Sequence, residues 1–253
     1  MDISPYLKYM VDKDASDLFV SVGTGVHAKI EGRTRPIERR ALSSADVRRL
    51  AYGMLSAEQT SEFESKMELN FGFSAEHLGR FRVNLYRQRG EIAMVVRYIK
   101  NYIPSFAELR LPETLGELIQ SKYGQIFIVG ATGSGKSTTQ AAMLNYRNET
   151  MSGHILTIED PIEFVHDHKR SVVDQREVGL DTHSYEAALQ NALRQAPDVI
   201  AIGEIRDHAT MEHAHHFAET GHLCLATLHA NNAIQALERI VNFFPAEAYK
   251  YVV

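Results

Sequence analysis

The sequence predicts an α/β protein in two parts: a small α+β domain over residues 1–100, a linker at 101–112, and over residues 113–253 a larger domain on a mostly parallel sheet. Three observations carry that prediction. Within the first hundred residues, apolar and polar side chains alternate with the period of two that belongs to half-buried strands. Near residue 101 the rhythm breaks, where NYIPSFAELRLPETL sets Pro104 and Pro112 around a helix-like segment. Beyond residue 124, strands that are apolar throughout alternate with helices, the pattern of a parallel sheet covered on both faces.

In the first part, an amphipathic helix opens the chain and LFVSV follows as a strand. HAKIEGRTRPI reads as two strands turning at Glu31-Gly32-Arg33. Ser43-x-x-Asp46 and Ser56-x-x-Gln59 have the form of capping boxes, in which side chains satisfy the free amides at two helix starts. RFRVNLYRQRGEIAMVVRYI then reads as two strands joined near Arg89-Gly90-Glu91. Phe81, Val83 and Leu85 alternate with Arg80, Arg82 and Asn84, so the apolar set turns inward and two arginines share the outer face.

In the second part, the strands QIFIVG, HILTIED, SVVDQREV, DVIAIGEI and HLCLATLH alternate with the helices KSTTQAAMLNYRN, SYEAALQNALRQA, ATMEHAHHFAE and AIQALERIVNFF. The single cysteine, Cys224, falls inside HLCLATL; it excludes an intramolecular disulfide framework, fits a reducing compartment and reads as a core residue. At 44% hydrophobic and 23% charged, the 253 residues have the composition of globular protein. No apolar stretch is long enough to span a bilayer, and MDISPYLKYMVDKDASD scatters charges where a signal peptide needs an apolar run. The expected location is cytoplasmic. A net charge of −5 argues against a general nucleic-acid binder, which needs a positive field.

Residues 130–137, GATGSGKS, match the phosphate-loop pattern in the context that it requires, after an apolar strand and opening a helix. Backbone amides of Ala131, Thr132, Gly133, Ser134, Gly135, Lys136, Ser137 and Thr138 are expected around the phosphates. Lys136 reaches the β and γ groups of ATP, and Ser137 ligates Mg2+. Such a site also needs a carboxylate at the end of a neighbouring strand, and DVIAIGEIRD supplies Glu204, whose extra methylene relative to Asp favours contact through a metal-bound water. Glu159, Asp160 and Glu163 in TIEDPIEF form a second acidic cluster. Spacing leaves two readings open, a solvated loop or a base that orients the attacking water.

Among 12 histidines, His213 and His216 share a helix face, which is thin ground for zinc without further ligands. His222 and His229 bracket LCLATL, and His229 stands at its carboxyl end, where open α/β sheets bind ligands. Arg80, Arg82, Arg87, Arg89 and Arg97 read either as ordinary basic surface or as arginine fingers for phosphate charge.

With TIEDPIEF, GEIRD and TGHLCLATLHANNA following the phosphate loop at these spacings, the chain resembles the type IV pilus retraction ATPases (PilT/PilU), which are secretion-type P-loop ATPases. VGATGSGKST, RQAPDVI and HANNAIQALERIVNFFP point to the PilU side. The resemblance covers nearly the whole sequence and implies a PAS-like N-terminal domain before a RecA-like ATPase core. It implies Glu163 as the catalytic glutamate, Glu204 near the magnesium, His222 organising its box and His229 sensing the γ phosphate. It further implies a homo-hexamer in which the N-terminal domain of one subunit places arginines over the next subunit's nucleotide; Arg82 and Arg97 match best, then Arg80 and Arg194. Against that pattern the sequence stops at YKYVV, without the helical region that follows the ALERI helix in those motors.

The leading expectation is therefore an ATP-hydrolysing motor of pilus retraction and twitching motility. Its implied partners are a PilT-like paralogous motor and the pilus inner-membrane platform protein, without nucleic acid, and its place is peripheral at the pilus machine. The alternative is a nucleotide-binding accessory subunit whose own hydrolysis is dispensable. A nucleic-acid translocase is disfavoured by the acidic balance and by the lack of an aromatic-basic stripe.

Overall fold

The structure, a computed structural model, describes residues 2–99 and 102–244, and the chain divides into two compact units, Met1–Lys100 and Asn101–Val253. The predicted boundary at Lys100 and Asn101 and the terminal PAEAYKYVV lie outside the described residues.

The first unit holds α1 (Ser4–Asp12), β1 (Asp17–Ser21), β2 (His27–Ile30), β3 (Arg33–Pro36), α2 (Ser44–Tyr52), α3 (Ala57–Lys66), β4 (Glu68–Ala75), β5 (Gly79–Gln88) and β6 (Glu91–Ile99). Its six strands are antiparallel in the order β3-β2-β1-β6-β5-β4. Two hairpins close through two-residue turns, Glu31-Gly32 and Arg89-Gly90, and all four residues have positive φ, which matches the right-handed twist of the strands they join. Both expected capping boxes form, Ser43 with Asp46 and Ser56 with Gln59. Phe81, Val83 and Leu85 are buried against Leu7, Met10, Leu50 and Phe63 of the three helices. β4 is an addition to the expected strands: Leu69 and Phe71 alternate into the same core, opposite Leu85 and Val83.

The second unit holds α4 (Phe106–Leu109), α5 (Thr114–Ile119), β7 (Gly124–Val129), α6 (Lys136–Thr150), β8 (Gly153–Glu159), β9 (Ser171–Glu177), α7 (Tyr185–Ala192), β10 (Val199–Ile202), α8 (His208–Glu219), β11 (Leu223–Leu228) and α9 (Ala233–Asn242). Its five strands are all parallel in the order β7-β11-β10-β8-β9. The segment read as a linker carries α4, whose Phe106 stacks on Tyr146 of α6 at 5.0 Å.

Strand order decides where the helices go. The crossover from β7 to β8 runs one way across the sheet, and those from β9 to β10 and from β10 to β11 run back. Right-handed crossovers then put α6 on one face and α7 and α8 on the other. The alternation in β11 records it: Leu223 and Leu225 pack with Met143 and Leu144 of α6, while Cys224, Ala226 and Leu228 pack with Met211, Ala214 and Phe217 of α8. Cys224 is thus a core residue, and burial pushes its thiol up to about 12. Parallel strands also bring every carboxyl end to one edge of the sheet, which is where a ligand can meet several loops at once. Among the described residues no helix is long and apolar enough to cross a membrane.

Candidate nucleotide site

The loop from Gly130 to Gly135 leaves β7 and enters α6 at Lys136. Gly133 and Gly135 have φ of 77° and 94°, a left-handed backbone that a side chain resists and that turns successive amides toward one concavity at the helix start. Lys136 lies over this loop, its Nζ donating to the carbonyls of Gly130 and Ala131, both at 2.9 Å. Four residues on, Gln140 is buried on the same side of α6 and donates to the carbonyls of Ile202 at 3.0 Å and Leu225 at 3.3 Å, which ties the helix to β10 and β11.

Glu204 follows β10 with its carboxylate largely buried. One oxygen faces His229 Nε2 at 2.7 Å, beyond the end of β11, and the other accepts from Arg206 Nε at 2.7 Å. Arg206 Nη1 in turn lies 3.7 Å from Asp160, just beyond β8. Three strand ends are therefore joined by one chain of polar contacts. The Glu204 carboxylate holds the Arg206 guanidinium above its usual range.

The turn that carries Glu163 is held from behind. Gln175 on β9 donates to Glu159 at 3.0 Å and to the Phe164 carbonyl at 2.9 Å, and it accepts from the His166 amide at 2.7 Å. Glu159 also accepts from Thr157 at 2.7 Å; burial raises its carboxyl above the ordinary range despite these bonds. His166 is buried and its imidazole is pushed down to about 4, first by burial and then by Lys169 nearby. Ile162 is buried and Glu163 is exposed, so the turn anchors on one residue and presents the next.

Thr132, Gly133, Lys136, Ser137, Glu163, Glu204 and His229 all line one cleft of about 370 Å³. Ala131 faces an adjoining hollow with His229 and Arg239, and Thr138 follows in the first turn of α6. Other residues stand elsewhere. His222 precedes β11, with its ring 3.2 Å from the Thr220 hydroxyl, at the opposite end of the strand from His229; six residues at about 3.3 Å each separate the two. Arg194 is exposed on the 3-10 turn Leu193–Gln195. In the first unit Arg82 and Arg97 are direct cross-strand partners, and Arg97 Nε donates to the buried Asp17 at 2.9 Å while its own side chain is 67% exposed. On α8, His215 pairs with Glu219 at 3.5 Å and His213 stacks on Phe217; among the described residues no group of three or more His, Cys, Asp or Glu is arranged to hold an ion.

Sequence reasoning passed over Gln140, Gln175, Tyr185 and Arg206. Arg206 had a signal, since it lies two residues past Glu204 in GEIRD. Gln140 had a weaker one, a polar residue one helical turn beyond Lys136 on an apolar face.

A glycine-rich loop at the start of a helix, facing carboxylates at the ends of parallel strands, defines a RecA-like P-loop nucleotide-binding domain. The profile of the family described as Type II/IV secretion system protein matches residues 3–248. The chain is 52% identical to the Type IV pilus ATPase PilU of Pseudomonas aeruginosa, over 100% of this chain and 66% of that protein. It is 42% identical to the same organism's Type IV pilus retractation ATPase PilT, over 98% of this chain and 72% of that one. Among solved structures, the pilus retraction motor PilT with bound ADP superposes with a TM-score of 0.94 at 42% identity, over 100% of this chain and 74% of that one. The ATPase DotB of Legionella pneumophila superposes at 0.80 with 30% identity, over 98% and 71%. The chain belongs to the type II/IV secretion system protein family, in its branch of type IV pilus retraction ATPases.

Proposed function

We propose that this chain is the nucleotide-hydrolysing part of a type IV pilus retraction motor, a PilU-like ATPase that works as a homo-hexamer beside a PilT-like paralogue at the cytoplasmic face of the pilus platform. The observation that carries the reading is the convergence of Lys136, Ser137, Glu163, Glu204 and His229 on one cleft.

In this reading the amides of residues 131–138 and the amino end of α6 hold the phosphates, and Lys136 exchanges its loop carbonyls for β and γ oxygens. The residues suit Mg2+, which takes hard oxygen donors and keeps several waters: Ser137 offers a hydroxyl, and Glu204, with both oxygens already engaged, acts through water. When bound, the cation neutralises phosphate charge. Glu163 takes a proton from the attacking water as the new bond to γ phosphorus forms and the bond to the β-phosphate oxygen breaks. His229, oriented by Glu204, meets the γ phosphate, so its position differs before and after cleavage. Arg82 and Arg97 are supplied by a neighbouring copy, where a fixed fork of donors stabilises transition-state charge.

Lys136→Ala in the full-length protein is expected to lower ATP turnover about 1000-fold. Unchanged turnover rejects the assignment. Retraction that persists in cells carrying Glu204→Gln beside an intact partner motor assigns the chain to the accessory role instead.

A further inference from the structure

Tyr185 is the first residue of α7, after the Ser184 cap whose hydroxyl accepts from the Ala187 amide at 3.0 Å. Its ring packs on the core under β8 and β10, and its hydroxyl reaches the cleft. That hydroxyl lies 2.9 Å from where a Cβ on Gly203 would stand, and the Glu159 Cα is 3.2 Å from the same point. Only glycine leaves this room, directly before Glu204. Burial raises the phenol far above its ordinary range; Asp160, Glu159 and Glu204 add to the rise and Arg206 opposes it, so the group stays neutral and keeps its proton. The hydroxyl opens onto the cleft, beside Gly203 and Glu204, instead of ending in the core. Phenylalanine would pack the same core, so the hydroxyl serves the cleft and not the packing.

We propose that Tyr185 is a positioning residue for hydrolysis, its hydroxyl donating to a water held against Asp160 and Glu204 at the edge of the bound triphosphate. The proposal rests on the ATPase reading above. Tyr185 transfers no proton; it fixes the water network from which the attacking molecule approaches Glu163.

The test is Tyr185→Phe in the full-length protein. Its kcat for ATP is expected to fall about 10-fold, while KM and the dissociation constant for ADP stay within about twofold and the thermal midpoint does not drop. A purely structural tyrosine gives the opposite pattern, a lower midpoint and weaker ADP binding together. The chain has 11 tyrosines and no tryptophan, so the ultraviolet difference spectrum on binding a non-hydrolysable ATP analogue reads phenol hydrogen bonding directly. The wild type is expected to show a tyrosine perturbation that Tyr185→Phe lacks. Turnover and spectrum equal to wild type, with Lys136→Ala inactive, overturn the assignment of Tyr185 alone. A wild type that binds ADP yet hydrolyses nothing overturns the ATPase reading and this proposal together.

Discussion

The antiparallel sheet of the first unit buries one face under α1, α2 and α3, whereas the parallel sheet of the second is covered on both faces. One-sided burial leaves every second residue free to carry charge, and β5 and β6 use it for Arg80, Arg82 and Arg97. Two-sided burial leaves few such positions on the central strands, so the carboxylates and histidine of the cleft, Glu159, Glu204 and His229, stand at strand ends. Charge divides the same way. Residues 1–100 have 16 Lys and Arg against 13 Asp and Glu, while residues 101–253 have 11 against 19. The cleft in this acidic part has Lys136 and Arg206 of its own, to which the proposed supply of arginines by a neighbouring copy would add.

That division can be broken by experiment. Arg97→Ala is expected to reduce turnover about 100-fold while leaving ADP affinity within about twofold, because the phosphate loop lies in the other unit. A matching loss of ADP affinity would end the separation of roles.

A smaller effect sharpens the contrast in burial. His166 is held neutral in the fold down to about pH 4, against about 6.5 for a free imidazole. Above pH 6.5 both states are neutral and its contribution is complete. As pH falls toward 4 the unfolded chain binds a proton that the fold refuses, so stability is lost, on the order of 3 kcal/mol. Buried Glu159 acts with the opposite sign, since a raised carboxyl favours the fold at lower pH. Urea unfolding of His166→Gln beside wild type isolates the first effect: the wild type should lose stability relative to the variant as pH drops from 6.5 to 4. Parallel curves would contradict it.

The smallest effect belongs to the first unit. Ser43→Ala removes a capping box and should cost about 1 kcal/mol in urea unfolding. Asp46 of the same box, held to about 2 by its hydrogen bonds to Ser43, stays ionised in the fold at both pH 4.5 and pH 7, so the loss should be nearly the same at the two.

What was legible in the sequence follows the range of the interactions. Both hairpin turns, the two expected capping boxes and the phosphate loop depend on residues within a few positions of one another and were visible, whereas the equally local box of Ser105 and Glu108 was passed over. The alternation of Leu69 and Phe71 was equally local, so β4 was readable as well. Gln140 reaches carbonyls 62 and 85 residues away, and Gln175 holds a turn across three separate contacts, so only the fold reveals them. The places of His222 and His229 at opposite ends of LCLATL were local too, and both were visible.

The central claim is that one cleft at the carboxyl ends of the parallel sheet both binds and hydrolyses ATP, with Glu163 acting only in the second step. ATP turnover and nucleotide affinity, measured together on Glu163→Gln in the full-length protein, test it most directly. Affinity for ADP within about twofold of wild type and turnover lowered about 100-fold or more are the predicted results. Turnover equal to wild type at unchanged affinity would contradict the account.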